Sequence, residues 1–237
     1  MKLNKIQYKF NNVNFYVYLR DDVDLSVFNE IFKYREYRSC EDILRYSDKG
    51  IVLDIGAHIG LFSLYAYCLN KNVEIYSIEP EKHNLEILGL NKKENKIKNI
   101  KIIDCAITER KGDGELVVTD DSINNYVLSS EDFEGSKLKF QKIKLLTLED
   151  FLKENKIEKV LLLKMDIEGG EYKVFESIKY ETLSKINNII LEYHLDKDIG
   201  YDQKFLENIL RINGFSVQFF PSGFDPKMGF ILARNKR

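Results

Sequence analysis

From residue 51 onward, short apolar runs alternate with amphipathic segments, and this alternation constrains the fold more than any other feature of the chain. The apolar runs predict buried strands, and the segments between them have the spacing of amphipathic helices. Repeated alternation of this kind is typical of parallel βαβ units with helices on both faces of one sheet. We therefore predict strands over residues 51–55, 73–78, 100–105, 160–165 and 188–193, and helices over residues 59–69, 81–94, 147–153, 171–178 and 202–213.

The N-terminal part of the chain does not follow this alternation. Residues 6–10 and 13–19 alternate apolar with polar side chains on either side of Asn11-Asn12, which predicts a β-hairpin. Residues 24–46 have helical spacing of their apolar side chains. We expect residues 1–48 to form a cap or extension in front of the main domain, residues 49–237.

Two later parts also interrupt the alternation. Residues 114–119 and 138–145 are β-like runs on either side of a polar loop, which predicts an inserted antiparallel hairpin. Residues 215–220 and 229–233 predict a terminal strand pair. Because the connection between the last two strands is short, the final strand should run antiparallel to its neighbours.

Composition narrows the class of protein. The 237 residues include 36 Lys and Arg against 38 Asp and Glu, and the formal net charge of −2 offers no electrostatic footprint for nucleic acid. Three cysteines without a CxxC pair favour a reducing, cytoplasmic setting. The N-terminus has no apolar leader, and the most apolar stretch contains Asp54, so we expect neither a signal peptide nor a membrane span.

The turn after the first predicted strand combines a carboxylate with two glycines. Asp54 lies in the strand, and Gly56, Ala57, His58 and Gly60 follow it. Glycines at a helix start let the backbone approach a ligand closely, although a tight strand–helix turn alone would also use them. Their spacing differs from the dinucleotide-binding GxGxxG pattern. With Asp54 beside them, we expect these residues to bind a cationic ligand such as a sulfonium amino acid.

Further acidic residues follow the second and third predicted strands. Glu79 and Pro80 come after the second, where a carboxylate can bind both ribose hydroxyls of a nucleoside. NAD enzymes use the same device, so this position indicates a nucleoside without identifying it. Asp104, Cys105 and Ala106 end the third strand. There Asp104 could accept a hydrogen bond from an adenine amino group with Ala106 beside the ring, or it could simply be solvated.

Titratable side chains cluster around the ends of the fourth and fifth predicted strands. Lys164, Asp166 and Glu168 belong to the fourth, and Glu192 and His194 to the fifth. Ligands bind at the carboxyl ends of strands in open α/β sheets, so these five are candidate catalytic residues. A carboxylate or a histidine there can take the proton of a hydroxyl group that acts as a nucleophile. Two carboxylates and a histidine could also hold a divalent metal, but we favour a general base and assign no metal ligand.

These segments together resemble the FkbM-type family of class I S-adenosylmethionine (SAM)-dependent methyltransferases. The matching segments are residues 52–60, 78–80, 163–171 and 191–194. The resemblance implies a Rossmann-like α/β fold, with a seven-stranded mixed sheet ordered 3-2-1-4-5-7-6, and SAM as the cofactor. It also implies O-methylation of a hydroxyl on a sugar or small-molecule acceptor. His58 is a departure, since the family usually carries Asn there.

Two other functions fit part of the pattern. An NAD(P)-dependent oxidoreductase would share Glu79 and the βαβ start, but the chain lacks GxGxxG. A non-catalytic SAM-binding domain would have no need for the ionisable cluster at the strand ends. Methylation of nucleic acid is disfavoured, because the chain has no Asp/Asn-Pro-Pro-aromatic motif, no Pro-Cys nucleophile and no excess of positive charge.

Overall fold

The computed structural model describes residues 3–118, 126–127, 139–194, 202–222 and 228–236. Its first element is the predicted hairpin, in which β1 (Asn4–Phe10) pairs antiparallel with β2 (Val13–Leu19). Asn11 and Asn12 form the turn with φ angles of 47° and 61°. This left-handed region is one that asparagine tolerates better than most residues, which is why the Asn-Asn pair marks the turn.

The sequence predicts one helix over residues 24–46, but the structure interrupts it at Arg35. The segment consists of α1 (Asp22–Phe28), a π-helical turn (Asn29–Tyr34), a 3₁₀ turn (Glu36–Cys40) and α2 (Glu41–Arg45). Arg35 has a φ of 57°, and its Nη2 donates to both carboxylate oxygens of Glu41 at 2.6 Å. Glu41 is buried and also pairs with Arg45. Charge pairing around a buried carboxylate therefore explains a break that apolar spacing does not reveal.

The central sheet has the predicted order. In chain order the remaining strands are β3 (Gly50–Ile55), β4 (Val73–Glu79), β5 (Ile100–Asp104), β6 (Ala106–Ile107), β7 (Gly112–Val118), β8 (Tyr126–Val127), β9 (Lys139–Leu146), β10 (Leu162–Met165), β11 (Asn188–His194), β12 (Phe215–Pro221) and β13 (Met228–Asn235). Seven of them form one sheet in the order β12-β13-β11-β10-β3-β4-β5. Among the described strands of this sheet, β13 runs opposite to the other six. Counted along the chain, this is the order 3-2-1-4-5-7-6, so the predicted fold is confirmed.

Helices connect these strands. They are α3 (Leu61–Leu69), α4 (Lys82–Glu94), α5 (Leu148–Glu154), α6 (Glu171–Ser177), α7 (Tyr180–Ser184) and α8 (Gln203–Ile212). The side chain of Thr147 accepts from the Asp150 amide at 3.1 Å, and that of Asp202 accepts from the Phe205 amide at 3.0 Å. These N-caps start α5 and α8 where the sequence predicts them. No helix in the described parts of the chain is both long and apolar enough to cross a membrane.

The insertion forms a second, smaller sheet. Its order is β6-β9-β7-β8, and β7 pairs antiparallel with β9 from Gly112 opposite Leu145 to Val118 opposite Lys139. This confirms the predicted inserted hairpin, apart from Thr119 and residue 138, which lie outside the described residues. Leu116 and Val127 of this sheet line a cleft at the carboxyl ends of the central strands.

Two apolar clusters pack on opposite faces of the central sheet. Val52 and Leu162 face one cluster, and their chain neighbours Leu53 and Leu163 face the other, as the period of two in a strand requires. The first cluster also contains aromatic side chains of the N-terminal segment, such as Phe32. The segment before residue 49 therefore shares a core with α3 and the sheet, and this contact fixes its position over the strand ends.

Candidate active site

A cleft of about 180 Å³ opens at the carboxyl ends of the parallel strands. Its walls come from the N-terminal segment, the turn after β3, the end of β4, the ends of β10 and β11, and the small sheet. The lining residues are Val27, Glu30, Ile31, Glu36, Tyr37, Gly56, Ala57, His58, Leu61, Phe62, Glu79, Pro80, Asn84, Leu116, Val127, Lys164, Asp166, Ile167, Glu168, Glu192 and Met228. Both predicted groups, the cofactor residues and the catalytic residues, therefore contribute to one cleft.

The turn after β3 is built on positive backbone angles. Gly56, His58 and Gly60 have φ angles of 73°, 50° and 84°. A Cβ at Gly56 would overlap the carbonyl oxygen of Asp166 at the end of β10. Glycine at this position therefore lets the turn pack directly against the neighbouring strand end, which brings the two halves of the cleft together.

Asp54 lies beneath this turn rather than in the wall of the cleft. Its side chain is fully buried, accepts from Ser63 Oγ at 2.6 Å and lies 3.5 Å from Lys164 Nζ. Burial raises the pKa of Asp54, while Lys164 and Ser63 oppose that rise. Lys164 Nζ also donates to the Gly56 carbonyl at 2.8 Å. Asp54 thus acts on the turn through Lys164, and its predicted direct contact with a ligand stays a prediction.

Lys164 links the two halves of the site. It is 3% exposed, and its Nζ lies 3.6 Å from Asp166 Oδ2 as well as near Asp54. Burial lowers the pKa of Lys164, but the carboxylates of Asp166 and Asp54 outweigh it and the net shift is upward. The ammonium group therefore stays charged and holds one carboxylate on each side of the turn.

Glu79, at the end of β4, is held by three donors. Its Oε2 accepts from the His58 amide at 2.9 Å, and its Oε1 accepts from the Glu81 amide at 2.9 Å and from Asn84 Nδ2 at 3.1 Å. Burial raises the pKa of Glu79, and these donors oppose the rise. A carboxylate offers about four lone pairs, so Oε2 keeps the capacity for a ligand hydroxyl.

Asn84 is a site residue that the sequence reasoning missed. It lies in the first turn of α4, is 3% exposed and lines the cleft. Its Oδ1 has no hydrogen-bond partner among the described residues. Its position five residues after Glu79 is the one signal in the sequence that could have indicated it, since a short strand–helix turn brings both to the same strand end.

His58 is tied to the N-terminal segment. Arg20 Nη2 lies 2.6 Å from His58 Nε2 and 2.8 Å from Asp24 Oδ1. A guanidinium can only donate, so Nε2 of His58 accepts and the ring proton lies on Nδ1. Burial lowers the pKa of His58 to about 4. The ring is therefore neutral near pH 7 and joins the glycine turn to the segment that precedes the main domain.

The candidate catalytic residues come together at the ends of β10 and β11. His194 Nε2 lies 3.6 Å from Glu168 Oε2, and one ligand atom from each of Asp166, Glu168 and His194 falls within 4.8 Å of the other two. Asp166, Glu168 and Glu192 line the cleft. Burial raises the pKa of Glu192 well above its ordinary value, and the nearby Asp166 adds to this rise. The arrangement could accept a proton, and its three ligand atoms are also spaced for a divalent cation, the alternative that the sequence left open.

The N-terminal segment supplies two carboxylic acids and a tyrosine that the sequence did not single out. The cleft is lined opposite β11 by Glu30, Glu36 and Tyr37. The Tyr37 hydroxyl donates to Glu192 Oε2 across 3.5 Å. Burial raises the pKa of Glu36 to about 7, with a contribution from Glu30. Nothing in the local sequence indicates these roles, because they depend on packing against a distant strand.

Several predicted residues do not line the cleft. Among the described residues, Gly60, Asp104, Cys105, Ala106 and His194 are not part of its walls. Asp104 is exposed, whereas Cys105 and Ala106 are buried. Their predicted contact with an adenine ring stays a prediction. His194 borders the cleft through Glu168, and its side chain is 19% exposed.

Most of the chain is similar in sequence to known methyltransferases. A profile of the methyltransferase FkbM domain matches residues 54–217. Methyltransferase sdnD of Sordaria araneosa is 25% identical over 81% of this chain and 82% of its own length. The 31-O-demethyl-FK506 methyltransferase FkbM of Streptomyces tacrolimicus is 23% identical over 81% of each chain.

The fold also matches a solved structure. The N-terminal domain of human METTL16, in complex with S-adenosylhomocysteine (SAH), superposes with a TM-score of 0.51 and 14% identity, covering 86% of this chain and 70% of that domain. Such a likeness shows the fold alone. The domain profile spans well over half of the chain and includes both halves of the cleft, and the chain therefore belongs to the FkbM-domain family of methyltransferases.

Proposed function

We propose that this methyltransferase moves the methyl group of SAM to a hydroxyl of a sugar or other small molecule. One observation carries the proposal. Glu79, at the nucleoside end, and Asp166, Glu168 and Glu192, at the other end, line the same cleft. When bound, SAM supplies an electrophilic methyl group on a positively charged sulfur.

The residues at the β4 end fit the nucleoside of SAM. Glu79 Oε2 keeps a free lone pair, and Asn84 Oδ1 has no partner among the described residues, so two acceptors are available for the two ribose hydroxyls. The acidic lining of the cleft also suits the sulfonium charge. Asp104 remains our candidate for the adenine amino group.

The residues at the β10 and β11 ends fit the removal of a proton. Methylation of a hydroxyl requires a base within hydrogen-bond reach of that hydroxyl. Asp166 and Glu168 line the cleft, and His194 lies directly behind Glu168. We assign the general base to one of these three side chains. Glu192 and Lys164 set the net charge around them. The name of the relative that acts on 31-O-demethyl-FK506 supports oxygen as the methylated atom.

Turnover tests the proposal. The purified chain is incubated with methyl-labelled SAM and a panel of glycosides, macrolides and other hydroxylated small molecules, with a tRNA and rRNA pool as the nucleic-acid arm. We expect label transfer to a small-molecule hydroxyl, and we expect Asp166→Ala or His194→Ala to abolish turnover while SAH affinity is retained. Transfer to RNA alone would contradict the acceptor class, and full turnover in both variants would remove the proposed base.

A further inference from the structure

Glu171 is a buried carboxylate to which the proposed function gives no role. It is 0% exposed, and its Oε1 accepts from the Ile167 amide at 2.6 Å. Its Oε2 has no hydrogen-bond partner among the described residues. A buried carboxylate is costly unless donors or a charge partner surround it, and one amide does not fill its capacity. Its environment therefore calls for a second partner.

His194 is the side chain placed to be a second donor to this carboxylate, at Oε1, the oxygen that the Ile167 amide also contacts. Its Nδ1 lies 3.9 Å from Glu171 Oε1 and has no hydrogen-bond partner among the residues described. Its Nε2 lies 3.6 Å from Glu168 Oε2, on the side of the cleft. The imidazole thus lies between an inner carboxylate, buried in the core, and an outer carboxylate in the wall of the cleft.

We propose that Glu171 is a positioning residue that keeps the ring proton of His194 on Nδ1, so that Nε2 is the atom that takes the proton of the acceptor hydroxyl. The inference rests on the proposed function. The tautomer of a histidine is set by the hydrogen bond that its other nitrogen makes. With the Nδ1 proton donated to Glu171, Nε2 presents its lone pair toward Glu168 and the cleft.

The proton count follows directly. The hydroxyl proton moves to Nε2, directly or through Glu168, and the ring becomes an imidazolium with Nδ1–H facing Glu171. The imidazolium then releases the Nε2 proton to solvent, which restores the neutral ring. The other ionisable groups beside His194 are Asp166 and Glu168 from the loop after β10, whose carboxylate oxygens lie within 4.8 Å of a ring nitrogen.

The separation between His194 and Glu171 is longer than a hydrogen bond. Closing it requires a shift of about 1 Å, and catalytic hydrogen bonds are often long before the substrate is bound. Glu171 is anchored by the Ile167 amide, so the movement would come from the histidine ring.

The tautomer can be measured without knowing the acceptor. The chain has three histidines, so protein labelled with ¹⁵N-histidine gives few ring signals, and His194→Gln identifies those of His194. The spectra are recorded on the full chain with saturating SAH for the wild type, Glu171→Gln, Glu171→Leu and Glu176→Gln. Glu176 is the matched control, because it is an exposed glutamate on the same helix.

We expect Nδ1–H to be the major tautomer of His194 in the wild type and in Glu176→Gln. Its population should fall in Glu171→Gln, which keeps an acceptor without the charge, and fall further in Glu171→Leu. A wild-type ring carrying Nε2–H, or an unchanged tautomer in Glu171→Gln, would overturn the proposal, and Glu171→Gln serves alone if the leucine variant does not fold.

Turnover adds a second readout once an acceptor is found. A histidine left in the wrong tautomer loses catalysis by orders of magnitude in the serine-protease case, so we expect Glu171→Gln to lose roughly 10²-fold in kcat with SAH affinity unchanged. A loss of SAH affinity together with kcat would instead indicate a structural role and contradict the inference. Failure of SAH to bind the wild type would reject the proposed function, whereas the tautomer result speaks only to Glu171.

Discussion

The two ends of the cleft are built in different ways. At the cofactor end, backbone amides and buried side chains surround each charged group: Glu79 accepts from three donors, and Asp54 is paired with Lys164. At the acceptor end, Asp166, Glu168 and Glu192 lie close together, and Lys164 is the one cation facing them among the described residues that line the cleft.

This difference shows how one fold can combine a fixed cofactor with a variable acceptor. The cofactor end uses a turn and two strand ends that are adjacent in the sheet, so local geometry determines it. The acceptor end draws Glu30 and Glu36 from the N-terminal segment and Leu116 from the insertion. Changes in those elements can alter the acceptor without disturbing the core. Substitutions at the cofactor end should therefore lower the free energy of unfolding. Substitutions at the acceptor end should change it little or even raise it.

The largest effect is expected at Lys164. Lys164→Met leaves Asp54 buried without its cation, and breaking a buried pair costs about 3–5 kcal/mol of unfolding free energy. Urea unfolding measures this loss. The double variant Asp54→Asn, Lys164→Met should recover a substantial part, because the fully buried carboxylate is then gone and the remaining partner of Lys164, Asp166, is partly exposed. A single variant as stable as the wild type would show that the pair does not organise the cofactor end.

Two glycine substitutions compare the turn after β3 with the turn after β10. Gly56 and Gly169 both have positive φ, 73° and 93°. A Cβ at Gly56 overlaps the Asp166 carbonyl, whereas one at Gly169 has nothing within 4 Å. We expect Gly169→Ala to cost about 1–2 kcal/mol for backbone strain alone, and Gly56→Ala to cost about 2 kcal/mol more. Equal thermal stability of the two variants would contradict the close approach of the turn to β10.

The pH dependence of stability tests His58. Its pKa is about 4 in the folded chain, against about 6.5 when unfolded, so the unfolded state binds the extra proton between these values. The contribution of His58 to the free energy of unfolding is fully present above pH 6.5. It falls as the pH drops, by about 2 kcal/mol between pH 7.5 and pH 5. His58→Asn, which cannot take up a proton in this range, should remove this part of the slope. Identical slopes in the two proteins would exclude a neutral, buried ring.

The smallest effect is expected at Glu36, with the opposite sign. Its pKa is raised to about 7, so the folded chain holds this proton longer than the unfolded chain does, and stability falls as the pH rises from about 4.5 to 7. After allowance for partial exposure, Glu36→Gln should stabilise by about 1 kcal/mol at pH 8. Glu115→Gln, an exposed change, serves as the control. Destabilisation by Glu36→Gln would contradict the view that this end carries excess negative charge.

The parts predicted from sequence are those set by local spacing. Strand period and strand-end position predict that Glu79, Asp166, Glu168 and Glu192 lie at the carboxyl edge of one sheet. All four line the cleft at that edge. The Asn11-Asn12 turn and the two inserted strands were confirmed, because turn residues and alternation act within a few residues. The sheet order came with the family resemblance rather than from spacing.

The parts that could not be predicted depend on distant contacts. The helix break at Arg35 follows from a buried Glu41 that also binds Tyr65 of the main domain. Asp54 lies below the turn because Lys164, from a strand more than a hundred residues later, holds it there. Apolar spacing carries no information about either pairing, so burial and charge partners had to come from the structure.

Calorimetric titration with SAH and with NAD tests the central claim most directly. The account predicts that the wild type binds SAH at one site and shows no binding of NAD. Glu79→Ala should bind SAH at least about tenfold more weakly, because hydrogen bonds to a charged group are removed. Glu74→Gln, at the other end of the same strand, should keep wild-type affinity. Absence of SAH binding in the wild type, or equal affinity in Glu79→Ala, would contradict the assignment of this cleft.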